Sequence, residues 1–508
     1  MLSEPTLAVL RSSYDVVLLD VGDTLVAEAE PGTPTAHLVT EPLPGVLETL
    51  RQLRGHVRLG AVTNTAVMRE ADVRSLLDVV GVDDLLEVVV TSTDVGVAKP
   101  DARPLLVALE RLGIDPARAL YVGDRDTDRT AALSAGASFT ATDRGLDDAL
   151  VRAADAVGGP CAAALARVRT PDDRAIAAAR ARHDTLTKPP GALGRLEDLG
   201  VLLAGIAGRC PPPVPSAPAV AVFAADHGVV ASGVTPWPQA VTAQMVANFA
   251  AGGAAINAIA RQVGATVRVV DVGVAGDERS PDGVDQRRVR AGTADLAVGP
   301  AMSVNEARAA LDVGAAVAAD LVAAGHDLLV TGDMGIGNTT ASAALTAVLT
   351  GRAAAAVTGR GTGIDDAMLT RKTAVVETAA GRASGLLDPV SVLAEVGGLE
   401  IGALAGFVIG GVAARVPVVV DGVIALAGLL CAEALAPGIR QSVVAGHRST
   451  EPGASAALEH LRITPVLDLA MRLGEGTGAC LAVPVVQAAA RVLAEMATFD
   501  EAAVGGNA

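Results

Sequence analysis

Aromatic side chains are scarce in this chain: one Trp, two Tyr and five Phe among 508 residues, 2% in all, although 51% of the residues are hydrophobic. The core must therefore be built from Ala, Val and Leu. With 55 glycines to let elements approach closely, this composition suits a large α/β protein with tight helix–sheet contacts. Cysteine is scarce too. The four, at positions 161, 210, 431 and 480, are scattered with no CxxC pair, and the seven histidines form no cluster at ligand spacing. That pattern points to a reducing cytoplasm and argues against a structural metal. Basic residues are outnumbered, 40 against 57 acidic, for a net charge of −17. A nucleic-acid footprint is excluded on that balance, and small molecules are the expected partners. The first twenty residues lack a basic segment and a cleavage site, so no signal peptide is expected. The most apolar stretch, 401–430, is interrupted by Arg415, Pro417 and Asp421. It reads as buried helix, turn and strand, not as a membrane span.

What is present is alternation. At 508 residues the chain is long enough for two or three domains. In the first part, residues 15–20 (DVVLLD) form a short apolar run ending in an acid, as a buried parallel strand does. Further strands are predicted at 57–62, ending at Thr63-Asn64, and at 119–122, ending at Gly123-Asp124-Arg125-Asp126-Thr127-Asp128. Between these two lies Gly96-Val97-Ala98-Lys99-Pro100-Asp101. Acids, a hydroxyl and a lysine thus recur after strands, where open α/β sheets place their sites.

This order of motifs resembles the haloacid-dehalogenase-like hydrolases. The resemblance implies Asp20 as nucleophile, Thr63 and Lys99 as phosphate-facing groups, and Asp20, Asp124 and Asp128 as holders of Mg²⁺. Phosphatases of that family carry a second aspartate two residues after the nucleophile. Here Gly22 occupies that place and Asp23 comes one residue late. In an extended segment a one-residue shift re-aims a side chain. The domain is therefore either a phosphatase or a non-catalytic, regulatory module. The stretches 25–62 and 63–99 are too short for a large cap domain, so a capless fold is expected.

Residues 147–168 are Ala-rich, contain Gly158-Gly159-Pro160, and hold the domain boundary. Beyond them helical and strand patterns alternate again. Strands are expected at 219–224, 265–270, 327–330 and 416–420, each followed by an acid (Asp226, Asp271, Asp333, Asp421). This alternation predicts a mostly parallel sheet with helices on both faces. Two glycine-rich turns stand out. Gly332-Asp333-Met334-Gly335-Ile336-Gly337-Asn338-Thr339-Thr340 precedes a helical run. Its freed N–H groups and the helix end favour a phosphate, with Thr339 or Thr340 as the helix cap. In the second, Thr358-Gly359-Arg360-Gly361-Thr362-Gly363, Arg360 and the later Lys372 either meet an anion or are solvated cations. Finally, Gly474-Glu475-Gly476 places one carboxylate on a glycine corner between helical patterns at 466–473 and 479–496.

Together with Leu186-Thr187-Lys188-Pro189-Pro190-Gly191, Ala225-Asp226-His227-Gly228, Gly397-Gly398-Leu399-Glu400 and Gly446-His447-Arg448-Ser449, these motifs resemble the nicotinate-nucleotide–dimethylbenzimidazole phosphoribosyltransferases. The resemblance implies transfer of phosphoribose from nicotinate mononucleotide to 5,6-dimethylbenzimidazole, with no cofactor. Glu475 would be the base, and Asp333 an assisting acid where the family has glutamate. Gly335, Gly337, Asn338, Thr339, Gly359, Arg360, Gly361 and Lys372 would hold the nucleotide. Trp237, alternatively a packing anchor, and Gln244 would line the base pocket. A homodimer is implied as well. A different base acceptor is the alternative. The expected architecture is two Rossmann-like α/β domains, 1–155 and 165–508, the first either removing phosphate from the product of the second or serving as a non-catalytic module.

Overall fold

The computed structural model describes residues 2–27, 41–142, 145–276, 279–386 and 389–504. The chain divides into two compact units, Met1–Ala166 and Arg167–Ala508.

The first unit is built on five parallel strands: β1 (Val16–Leu19), β2 (Arg58–Thr63), β3 (Val88–Thr91), β4 (Ala119–Gly123) and β5 (Ser138–Ala141), in the order β3-β2-β1-β4-β5. Successive β1 residues feed opposite faces, as the two-residue period of a strand requires. Val17 and Leu19 join a core with Leu10, Leu50 and Leu150, while Val16 and Leu18 join one with Leu105, Ala108 and Ala131. The edge strands β3 and β5 escaped the sequence reading; each is four residues long. The stretch read as a linker is helical from Leu146 to Leu165. It breaks at Gly159 (φ 58°), just before Pro160, and packs on the first helix, Glu4–Ser13. Part of the segment behind the capless expectation, residues 28–40, lies outside the described residues. Between β2 and Lys99 there are only short helices and β3.

The second unit has six parallel strands: β6 (Pro218–Ala225), β7 (Thr266–Gly273), β8 (Val284–Gln286), β9 (Leu328–Met334), β10 (Val418–Val420) and β11 (Val443–Ala445), in the order β11-β10-β9-β6-β7-β8. One face packs the helix Thr477–Glu495 through Ala482, Val483 and Val486 against Val220, Val222 and Val330. That helix is long and apolar enough to cross a membrane, but these residues are fully buried in the core. On the other face the helix Leu399–Ala413 lies between the sheet and the helix Val304–Ala323, with Phe407 edge-on to Phe223 at 5.4 Å between centroids. A Cβ on Gly314 would fall 1.8 Å from the Ala403 carbonyl, and one on Gly406 would fall 1.9 Å from that of Leu311. Two helices at backbone contact fill their interface without large rings, which is how so few aromatics suffice.

One expectation fails. Residues 466–473 are not helical but form an extended strap. Val466 and Leu467 N–H groups bond the carbonyls of Ala445 and Gly446, and Arg448 N–H bonds the carbonyl of Leu467. Only Val466 and Leu467 pack on the core; Leu469 and Leu473 are each 57% exposed. Pro465, which disfavours helical geometry in the residue before it, opens the strap.

Candidate active site

In both sheets the central pair of strands is where the strand order reverses, β1/β4 in one and β6/β9 in the other. Ligands of open α/β sheets bind at that crevice, and a cluster of carboxylates lies there in each unit, all buried but Asp124.

In the second unit, β9 delivers Asp333 and β10 delivers Asp421 to the carboxyl end of the sheet. The corner before the helix Thr477–Glu495 folds back over them. Gly474, Glu475 and Gly476 all have left-handed backbone, with φ of 85°, 63° and 89°. The two glycines take this conformation at little cost, whereas Glu475 is held in it. Fit enforces the glycines too: a Cβ on Gly476 would lie 2.8 Å from the Thr331 carbonyl, and one on Gly474 3.1 Å from Asp333 Oδ2. The Glu475 carboxylate is buried and accepts the Ile256 N–H, at the start of the helix Ala255–Val263, at 3.4 Å. Burial raises its pKa, the Ile256 N–H pulls it back, and the charge of Asp421 raises it further. Asp333 is raised well above the usual carboxylate range, by burial first and then by Asp421, Glu400 and Glu475. Its Oδ2 accepts from Asn338 Nδ2 at 3.2 Å, and its Oδ1 is buried without a hydrogen-bond partner.

Asn338 ties this acid pair to the glycine turn. Gly335, Ile336, Gly337, Asn338, Thr339 and Thr340, with Arg360, Gly361 and Lys372, line a cleft of about 40 Å³. Lys372 is 2% exposed; its ammonium donates to Thr339 Oγ1 at 2.8 Å and to the Gly359 carbonyl at 3.0 Å. Burial lowers its pKa to about 8, against the opposing charge of Glu451. A fixed cation, N–H groups at a helix start and a hydroxyl together make an anion site. Neither threonine caps the helix Asn338–Thr350. Gly337, left-handed at φ 96°, takes the capping position without a side-chain bond, and Thr339 is free to meet Lys372. Arg360 is half-exposed and pairs with Asp366. Gly359 and Arg360 also border a larger neighbouring cavity of about 410 Å³, with Glu451 and Arg472. Trp237 and Gln244 are both exposed and line neither cavity.

In the first unit, Asp20, Asp124 and Asp128 bring their carboxylates within 4.8 Å of one another. Lys99, 4% exposed, reaches Asp20 at 2.7 Å, Asp128 at 2.6 Å and the Tyr121 hydroxyl at 2.7 Å. Asn64 clamps the Lys99 backbone through both its amide atoms. Thr63 is buried at the end of β2. Burial raises the pKa of Asp20, Lys99 lowers it, and Asp128 raises it; the net shift is upward. Asp124 is also raised, by burial first. Three crowded carboxylates against one ammonium fit a divalent cation with oxygen preference such as Mg²⁺. Asp23 sits outside the trio, exposed and left-handed at φ 49°.

The family described as Phosphoribosyltransferase matches residues 168–504. The chain belongs to this family. Residues 32–142 match the family described as Haloacid dehalogenase-like hydrolase, a span that holds Thr63, Lys99, Asp124 and Asp128 and begins after Asp20. The phosphoribosyltransferase unit is 56% identical over 348 residues to the nicotinate-nucleotide–dimethylbenzimidazole phosphoribosyltransferase of Salinispora tropica, covering 66% of this chain and 96% of that protein. To the enzyme of the same name from Mycobacterium avium it is 54% identical over 341 residues, covering 67% and 97%. The crystal structure of the enzyme of that name from Thermus thermophilus superposes with a TM-score of 0.64 at 50% identity, covering 66% of this chain and all of that one.

Sequence reasoning gave no role in this phosphoribosyltransferase site to Asp421, His447, Glu451 or Glu400, whose carboxylate meets the buried His227 ring at 2.7 Å. Asp421 had one visible signal, an acid at a strand end. Glu451 had none, because its bond to Gly361 N–H at 2.9 Å spans ninety residues of chain.

Proposed function

We propose that the second unit transfers phosphoribose from nicotinate mononucleotide to 5,6-dimethylbenzimidazole, giving α-ribazole 5′-phosphate and nicotinate. The observation that carries the reading is the buried Glu475 carboxylate, linked through Gly474, Asp333 and Asn338 to the cleft of Lys372. The Gly335–Thr339 turn and Lys372 hold the 5′-phosphate. The bond from the ribose C1 to the pyridinium nitrogen breaks, its electron pair stays on nicotinate, and no acid is needed to expel a group that leaves neutral. A ring nitrogen of the benzimidazole forms the new bond from the opposite face, turning β into α. The proton on its other nitrogen passes to Glu475. Burial makes that carboxylate a stronger base than a solvated glutamate, which suits the step. Asp333, its pKa raised by burial and then by its acidic neighbours, accepts the Asn338 amide and holds the turn in place. The reading includes a homodimer in the cytoplasm.

Product identification with the full chain and both substrates tests this. Glu475→Gln should keep the fold and nucleotide binding and lose about 10²–10⁴ in turnover, the contribution of a positioned base. Turnover near the parent's would show that the base lies elsewhere. If only other azoles or adenine were ribosylated, the acceptor would be wrong.

For the first unit we infer a phosphohydrolase acting on α-ribazole 5′-phosphate, the next bond to break in the same product. Mg²⁺ held by Asp20, Asp124 and Asp128 would supply charge neutralisation at the phosphate. Asp20 attacks phosphorus, the bond from phosphorus to the ribose 5′-oxygen breaks with its electron pair on that oxygen, and Lys99 offsets charge on the phosphoryl oxygens; water then hydrolyses the aspartyl phosphate to phosphate and free Asp20. Gly22 favours the rival, a non-catalytic domain, because it leaves the departing alkoxide without a side-chain acid. The full chain with Mg²⁺ and α-ribazole 5′-phosphate should release inorganic phosphate, and Asp20→Asn should abolish it. No release from the parent chain would leave the rival standing.

A further inference from the structure

Glu475 is held in a left-handed conformation that glutamate disfavours, so something must fix the peptide on its far side. That partner is Asp421. Its Oδ2 accepts the N–H of Gly476, the residue after Glu475, at 3.2 Å, and its Oδ1 accepts that of Ala479 at 2.8 Å. One carboxylate thus bridges the corner and the first turn of the helix Thr477–Glu495, where anions are favoured. Asp421 is itself fixed. It is fully buried, its own N–H donates to Thr331 Oγ1 at 2.9 Å, and the His447 ring stands 3.4 Å from it. That ring lies flush with the helix start, since a Cβ on Gly478 would fall 2.1 Å from it.

We propose that Asp421 is a positioning residue for Glu475, clamping the peptide that follows the base, and that its charge, balanced by His447, tunes how strongly Glu475 takes the proton. The proposal rests on Glu475 being the base. Around that carboxylate stand Asp333 from β9, Asp421 from β10 with His447 behind it, and the Ile256 N–H at a helix start; Glu400 acts on Asp333. Two of these set the sign. The negative charge of Asp421 raises the pKa of Glu475. Burial disfavours the charged form of His447, but Asp421, whose Oδ1 stands 3.4 Å from its Nε2, outweighs that and leaves its pKa raised, and a proton held there offsets the Asp421 charge.

The test is the acidic limb of kcat/KM against pH, which reports the free enzyme's base. Asparagine offers one acceptor oxygen and an amide that cannot accept. Asp421→Asn should therefore lower kcat about 10- to 100-fold, the scale of a misplaced catalytic group, leave the KM for nucleotide near the parent's, and move the limb to lower pH. Asp421→Glu keeps the charge and should leave the limb in place. His447→Gln removes the balancing cation and should move the limb the opposite way, to higher pH. Damage to packing alone would not reverse sign between the two variants. A limb unmoved in Asp421→Asn overturns the proposal; should that variant not fold, a limb unmoved or lowered in His447→Gln does so. Full activity in Glu475→Gln would instead remove the base itself, a failure of the underlying reading and distinct from these.

Discussion

Lys372 is an ammonium with nowhere to put its charge. Among the described residues it makes no ion pair; its two bonds go to a hydroxyl and a carbonyl, and the nearest influential carboxylate, Glu451, is spent on the Gly361 N–H. A buried cation so placed is unfavourable until an anion arrives, which is why its pKa falls to about 8. Two consequences follow for nucleotide binding. Lys372→Met should raise the KM for nicotinate mononucleotide about 10- to 100-fold, from the roughly 1.5–3 kcal/mol of a charge-assisted hydrogen bond, with kcat less affected. Because lysine is charged below its pKa, the parent's KM should climb as pH rises above about 8, and the Met variant's should not. Steady-state kinetics across that range decides it; a KM that does not respond to the substitution would place the phosphate elsewhere. Residues of this kind were legible in the sequence. Glu475 and Asp333 stand beside glycines, where backbone and ligand come close, and Lys372 lies on the helix that follows the second glycine turn. Asp421 was legible only as a strand-end acid, since its role depends on N–H groups more than fifty residues further on. Trp237 was singled out for being unique, and uniqueness carries no geometry: its ring is 47% exposed.

At the scale of elements, what could be read was what repeats locally. The central strands β1, β2, β4, β6, β7 and β9 are apolar runs of four to eight residues that announce themselves. The edge strands β8 and β11 have three residues each, too few for any period to show, and exist because a neighbour offers a ladder. The strap at 466–473 is the instructive failure. Its apolar spacing suits a helix, yet its backbone donors are taken by the chain just after β11. Pairing between segments twenty residues apart outcompeted a local pattern that only two core-facing side chains support. The strap's outcome also bears on catalysis, because its last residue hands directly into the corner. A helix there would end in a mobile cap, whereas a strap pinned at Val466, Leu467 and, through the Thr450 N–H, at Met471 delivers Gly474 to Asp333 along a fixed path.

Across the whole molecule the same device occurs twice: a parallel sheet whose order reverses at its centre, with acids at the carboxyl ends of the strands that part there. What differs is the balance of charge. In the first unit three carboxylates face Lys99, which reaches Asp20 and Asp128, and the exposed Arg125, 3.6 Å from Asp124, and a divalent cation suits the excess of negative charge; in the second, burial and then the neighbouring carboxylates raise the pKa of Asp333 instead. Among the described residues, these hydrophobic clusters each draw on one unit, so each unit has a core with which to unfold on its own. Thermal unfolding of the full chain should therefore show two transitions with separate ligand responses. Mg²⁺ should raise the one belonging to residues 1–166, and nicotinate mononucleotide the other. Ligand at a hundred times its Kd contributes about 2.7 kcal/mol, or roughly 5–10 °C for the first unit and about 4 °C for the larger second one. Asp128→Asn should erase the response to Mg²⁺ and leave that to the nucleotide, whereas Lys372→Met should do the reverse. If Mg²⁺ raised neither transition, the carboxylate trio would be answered by Lys99 and Arg125, and the phosphohydrolase reading would fall while the transferase stood.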